Sequence, residues 1–147
     1  EYSDVRKDLI DIMVRLKLGL VDLDGYGNHL PSEISGGMKK RVGIARAIVH
    51  SSKYLYCDEP NSGLDPQTAI LIDTLIEEIT VEYNLTTVVV THDMNSVMET
   101  GDYIIYMYKG RKLWEGTKDE ILQTDVKELQ EFIYANKLVE ALKKREG

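Results

Sequence analysis

The chain has 147 residues, 43% of them hydrophobic and 29% charged, with 18 Lys+Arg against 25 Asp+Glu for a formal net charge of −7. That balance reads as an ordinary soluble globular domain with a real core, and its acidity, without a Lys/Arg-rich face, argues against nucleic acid as the main partner. The longest stretch free of Asp, Glu, Lys and Arg runs only from Tyr83 to His92, too short to span a bilayer. No basic segment followed by an apolar run opens the chain, so no signal peptide is expected. The single cysteine, Cys57, has no internal partner and fits a reducing compartment. A start at Glu1 without methionine hints at a processed piece or fragment.

In chain order, Val5, Leu9, Ile12, Met13 and Leu16 fall at helical spacing after Ser3 and predict an amphipathic helix to Lys17. Glycines 19, 25 and 27 break it, and a polar loop runs to Pro31. A second helix is expected from about Gly36 to Val49, with Met38, Val42, Ala45, Ile48 and Val49 on one side. Tyr54 to Cys57 reads as a buried strand that ends at Asp58-Glu59-Pro60. Asp65-Pro66 is a helix start, an N-cap acid before a first-turn proline, and the helix continues to about Glu82. Thr86 to Thr91 is a β-branched run with almost no polar alternation, as in a parallel strand covered on both faces.

A short helix over Asp93–Glu99 follows. Tyr103–Tyr108 and Lys112–Trp114 make a hairpin around Lys109-Gly110-Arg111. Thr117-x-x-Glu120 is a capping box, Asp125–Asn136 a further helix, and the tail to Gly147 is charged and helix-prone. Alternating strands and helices point to an α/β fold with a mostly parallel sheet.

Three clusters carry chemistry. Ile34-Ser35-Gly36-Gly37-Met38 precedes a helix, where bare N–H groups and the helix dipole favour a phosphate; a Ser N-cap with flexible glycines is the plainer alternative. Asp58 and Glu59 stand together at the carboxyl end of a strand, the edge where α/β sheets bind ligands. There Asp58 suits Mg²⁺ through its waters and Glu59 could polarise an attacking water; the alternative is a strand leaving the core into a turn. In Thr91-His92-Asp93, His92 could reach the same crevice and touch a terminal phosphate, although a lone histidine is more often structural. His29 and His50 keep that structural reading.

Taken in order, these clusters resemble the ATP-binding-cassette family, the ATPases of ABC transporters. Ile34–Met38 is similar to the Leu-Ser-Gly-Gly-Gln signature, Tyr54–Glu59 to Walker B with its catalytic glutamate, Ser62-Gly63-Leu64-Asp65 to the D-loop, and His92 to the switch histidine. The resemblance implies a P-loop NTPase-like mostly parallel sheet flanked by helices, with part of the helical subdomain and without the N-terminal P-loop portion. Its expected divisions are about 1–50 for the helical part with the signature, 51–115 for the core and 116–147 for C-terminal helices.

The resemblance also implies roles. Glu59 and His92 would be catalytic, Asp58 would serve Mg²⁺, and Ser35, Gly36, Gly37 and Asp65 would serve ATP. Ser35 and Gly37 would act on the nucleotide of a second ATPase subunit in a head-to-tail homodimer. A membrane-embedded permease would be the mechanical partner, which places the protein peripherally on the cytoplasmic face of the inner membrane. Within the family, Leu30–Arg41 is similar to the Mla/Mce-type phospholipid transport ATPases, with Met38 in place of the usual Gln as the main pointer. Rival readings are a soluble ABC-type ATPase acting on DNA or ribosomes and a non-enzymatic interaction fragment.

No Gly-Lys dipeptide occurs, so the chain has no G-x-x-x-x-G-K-[ST], and as given it is expected not to hydrolyse ATP. By the resemblance, the strand that carries Walker A would sit between the Thr86–Thr91 and Tyr103–Tyr108 strands. Unpaired buried backbone groups cost about 1–3 kcal/mol each. The expectation is therefore that the two strands close on each other, that another chain fills the gap, or that the sequence comes from a longer folded protein.

Overall fold

The computed structural model describes residues 6–50 and 52–143, with side chains to residue 135. Two compact units divide at Val90/Thr91. In the first, α1 (Lys7–Gly19) leads through two 3₁₀ turns, Tyr26–Asn28 and Pro31–Glu33, to α2 (Gly36–Ala47). Then come β1 (Tyr54–Asp58), α3 (Pro66–Glu82) and β2 (Thr86–Val90). The part of the first expected helix before Arg6 lies outside the described residues.

β1 and β2 pair in parallel, from Tyr54 opposite Thr86 to Asp58 opposite Val90. One core lies behind them, built from Leu55 and Cys57 of β1, Ile44, Ala45 and Ile48 around α2, and Ile72, Leu75, Ile76 and Ile79 of α3. Burial pushes the Cys57 thiol pKa up. A hydroxyl pair, Thr80 with Thr87 at 2.6 Å, joins α3 to β2.

Three expectations change here. First, within the first unit the described residues cover one face of the strands: Leu55 and Cys57 are buried, but Tyr56 is 73% and Val90 57% exposed. A run of apolar residues shows strand type, yet a strand needs an element on each side before both faces are covered, and the core lies on one. Second, α1 buries no residue, and Leu9, Ile12 and Leu16 of its apolar stripe are exposed. It meets the core through its C-terminal end, where Leu18, with Leu20 just beyond, packs against that cluster. Third, there is no single mostly parallel sheet among the described residues but one parallel and one antiparallel pair.

The second unit holds α4 (Met94–Thr100), the hairpin β3 (Ile104–Tyr108) and β4 (Arg111–Gly116), α5 (Lys118–Ile121) and α6 (Lys127–Lys143). Lys109 and Gly110 both take positive φ, 46° and 75°, the backbone of a tight hairpin turn. The expected capping box forms: Thr117 Oγ1 accepts from the Glu120 N–H, and the Thr117 N–H donates to Glu120 Oε2 at 2.8 Å. Met94, Ile121 and Leu129 are this unit's buried centre, with Ile104, Tyr106 and Trp114 packed around them. Among the described residues β2 pairs with β1 and β3 with β4. Closure of the Thr86–Thr91 and Tyr103–Tyr108 strands on each other is the one expected arrangement that this pairing excludes.

Candidate nucleotide-handling site

The signature-like loop is anchored before it can act. Ser35 is the N-cap of α2, its Oγ accepting the Met38 N–H at 3.2 Å, so the plain capping role is filled. Its hydroxyl proton stays available to a phosphate, since a hydroxyl donates and accepts at once. Ser35 and Gly36 are exposed while Gly37 is buried.

A Cβ on Gly37 would lie 2.6 Å from Thr68 Cγ2, a separation that forces something to move. By the resemblance Gly37 would serve a nucleotide; the structure adds a reason inside the chain, close packing of α2 on the first turn of α3. A substitution there disturbs packing before it reports on any ligand. Ser35→Asp is the cleaner probe, because Asp caps a helix as well as Ser and adds a charge that repels phosphate.

Thr68 is itself fixed by Asp65. The carboxylate accepts the Thr68 N–H at 3.0 Å and its hydroxyl at 2.6 Å, capping α3 as expected. These bonds hold the exposed Asp65 carboxyl below its usual pKa. The D-loop-like segment and the signature-like loop therefore meet through Thr68, and Leu64 lies beside Gly36.

Asp58 ends β1, exposed, next to a cleft of about 140 Å³ lined by Lys40, Ile44, Tyr56 and Pro60 among others. Glu59 is half-buried and has φ +47°, a left-handed backbone uncommon for a residue with a side chain. Its N–H donates to the Val90 carbonyl at 2.8 Å, and its carbonyl accepts the Ser62 N–H at 3.2 Å. Asn61 Nδ2 donates to Asp73 Oδ1 at 2.7 Å. Asp73, only 6% exposed, thus ties α3 to this turn, a tie that sequence reading missed because one acid among apolar helix positions carries no motif.

His92 lies exposed in the second unit, between Thr91, whose Oγ1 accepts the Asp93 N–H at 3.0 Å, and Asp93, which caps α4. The structure brings Ser35, Gly36, Gly37 and Asp65 around the start of α3 and sets Asp58 and Glu59 at the strand end.

No group of three or more His, Cys, Asp or Glu able to hold a metal occurs among the described residues. The donor set fits Mg²⁺ only in the mode where one carboxylate supports an ion that keeps its waters and phosphate oxygens. Asp58, exposed at the end of β1, would be that carboxylate.

The chain's fold is the α/β, P-loop NTPase-like fold of ATP-binding cassettes, and residues 4–62 match the family described as ABC transporter. It is similar to the cassette MJ0796, solved as a post-hydrolysis dimer bound to ADP and Pi, at TM-score 0.69 and 30% identity over 80% of this chain and 51% of that one. Among curated relatives it is 40% identical to the methionine import ATP-binding protein MetN 2 of Bacillus cereus, over 90% of this chain and 40% of the relative. MetN of Latilactobacillus sakei is 41% identical over 83% of this chain and 36% of its own length. The chain thus spans well under half the length of these curated relatives. No helix among the described residues is long and apolar enough to cross a membrane.

Proposed function

We propose that the protein is the ATP-hydrolysing subunit of an ABC transporter and works as a head-to-tail pair beneath a membrane-embedded permease, on the cytoplasmic face of the membrane. In this reading Glu59 orients the water that attacks the γ-phosphate of its own subunit's ATP, Asp58 supports Mg²⁺, and His92 contacts the γ-phosphate. Mg²⁺, when bound, would neutralise charge developing on the phosphates. Ser35 and Gly37 close over the partner's nucleotide, and Asp65, through Thr68, links that loop to α3. The observation that carries the reading is the joint placement of Asp58 and Glu59 at the end of β1, with Glu59 fixed in an uncommon backbone conformation. Strain of that kind clusters where a side chain must be aimed.

The test is Glu59→Gln in the full-length protein. The amide keeps the shape without the base, so ATP binding is expected to persist while turnover falls about 10²–10⁴-fold. Near-normal turnover would reject the role.

For the cargo, the relatives' names support import of an amino acid such as methionine and lend nothing to the phospholipid systems. Met38, the pointer to those systems, has a packing explanation: it is half-buried against the core of the first unit. The small molecules and lipids that co-purify with the complex decide between the two. An enriched phospholipid would overturn the amino-acid reading.

A further inference from the structure

The turn after β1 is tied to α2 by a bond that the chemistry above does not use. Lys40 lies in the second turn of α2, half-buried, and its Nζ donates to the Glu59 carbonyl oxygen at 2.9 Å. The same peptide region takes the Val90 carbonyl on its N–H and the Ser62 N–H on its carbonyl. A side-chain-bearing residue stays at φ +47° only where its surroundings over-determine it. Here β2, the turn itself and α2 each supply a bond, and the α2 bond comes from a charged side chain.

The plain alternative is that Lys40 covers the cleft wall with its aliphatic stem, beside Gly43, Ile44 and Ala47. That role leaves the ammonium in water. An ammonium seated on a backbone carbonyl 19 positions along the chain instead gives up hydration for one specific acceptor.

We propose that Lys40 is a positioning residue for Glu59. Its ammonium holds the Glu59 peptide in the left-handed conformation that aims the carboxylate, so the aim of Glu59 depends on α2, the helix opened by Ser35, Gly36 and Gly37. This rests on the reading of Glu59 as the water-orienting base. It also gives each subunit an internal tie between the loop that serves the partner's nucleotide and the glutamate that serves its own.

The experiment compares Lys40→Met, Lys40→Arg and Glu59→Gln in the full-length protein, measuring ATP affinity, KM, kcat per folded molecule and Tm. Methionine keeps the stem and removes the donor; arginine keeps a donor. Loss of a charged hydrogen bond that acts only on the aim of Glu59 should lower kcat about 10- to 100-fold in Lys40→Met. KM and ATP affinity should stay within about twofold, since nothing that binds nucleotide has been removed. Lys40→Arg should recover most of the kcat. Should the methionine variant fail to fold, Lys40→Ala, with the best helix propensity, must show the same fall.

Wild-type kcat in a folded variant that lacks the donor overturns the proposal, as does an arginine variant no better than methionine. Those results with an inactive Glu59→Gln would defeat the positioning role alone. An active Glu59→Gln would defeat the reading beneath it.

Discussion

α1 and α2 are neighbours in the chain with opposite relations to the core. α1 carries an apolar stripe at helical spacing, yet none of its residues is buried. α2 opens with two glycines and carries two lysines and an arginine before its first buried isoleucine, yet it buries Gly37, Ile44 and Ala45. Apolar spacing therefore describes the face a helix could bury, while close approach decides which face is buried. At Gly37 the missing Cβ is what admits α3, and Thr68 fills the space. The helix that carries the candidate site is the one locked in place; the more apolar one is not.

The strongest way to break this contrast is Gly37→Ala. The added methyl meets Thr68 Cγ2 at 2.6 Å, and overpacking of that kind costs about 1–3 kcal/mol. Over most of that range the cost exceeds the roughly 1 kcal/mol gained when Ala replaces Gly in a helix, so Tm should fall. Adding Thr68→Ser removes Cγ2 but keeps the hydroxyl for Asp65. Denaturant unfolding of the double variant should therefore return to the wild-type midpoint or pass it. A double variant no more stable than Gly37→Ala would disprove the close-packing account.

A smaller effect concerns the cap behind Thr68. The folded Asp65 carboxyl titrates below its ordinary value of 3.8, chiefly because the Thr68 hydroxyl and N–H bond to the charged form. A folded pKa lowered in this way gives stability that is present above the unfolded value and lost as pH falls through the folded one. Asp65→Asn keeps the cap without the charge. The wild type should thus exceed it in Tm at neutral pH, and the gap should close as the pH drops below 3.8. A gap that does not change with pH would contradict the assignment.

The smallest effect belongs to α1. Leu16 is 64% exposed, and Leu16→Ser should change stability by no more than about 0.5 kcal/mol. A large fall in Tm would show that α1 is held by more than its C-terminal end.

Much of this was legible in the residues. Asp65-Pro66 marked the start of α3, the Thr117 box marked α5, and the alternation of strands with helices marked strands of parallel sense, as β1 and β2 are. The placement of Ser35 at a helix start and of Asp58 and Glu59 at a strand end was legible from the residue types around them. What lay hidden depends on contacts between distant positions. Lys40 reads as a solvated lysine until its acceptor is seen, Asp73 as an ordinary helix acid, and Gly37 as a phosphate-facing glycine without sight of Thr68. The exposure of Tyr56 and Val90 was equally out of reach, since a strand's own residues do not say what covers it.

The central claim, that Ser35 serves the partner's nucleotide while Glu59 serves its own subunit's, has one direct measurement. Full-length Ser35→Asp and Glu59→Gln subunits are prepared separately, each expected to be inactive, then mixed and assayed for phosphate release. In a head-to-tail pair one composite site receives both lesions and the other receives neither, so the mixture should regain hydrolysis that neither protein shows alone. A mixture as inactive as its parts, with mixed pairs shown to form, would contradict the account.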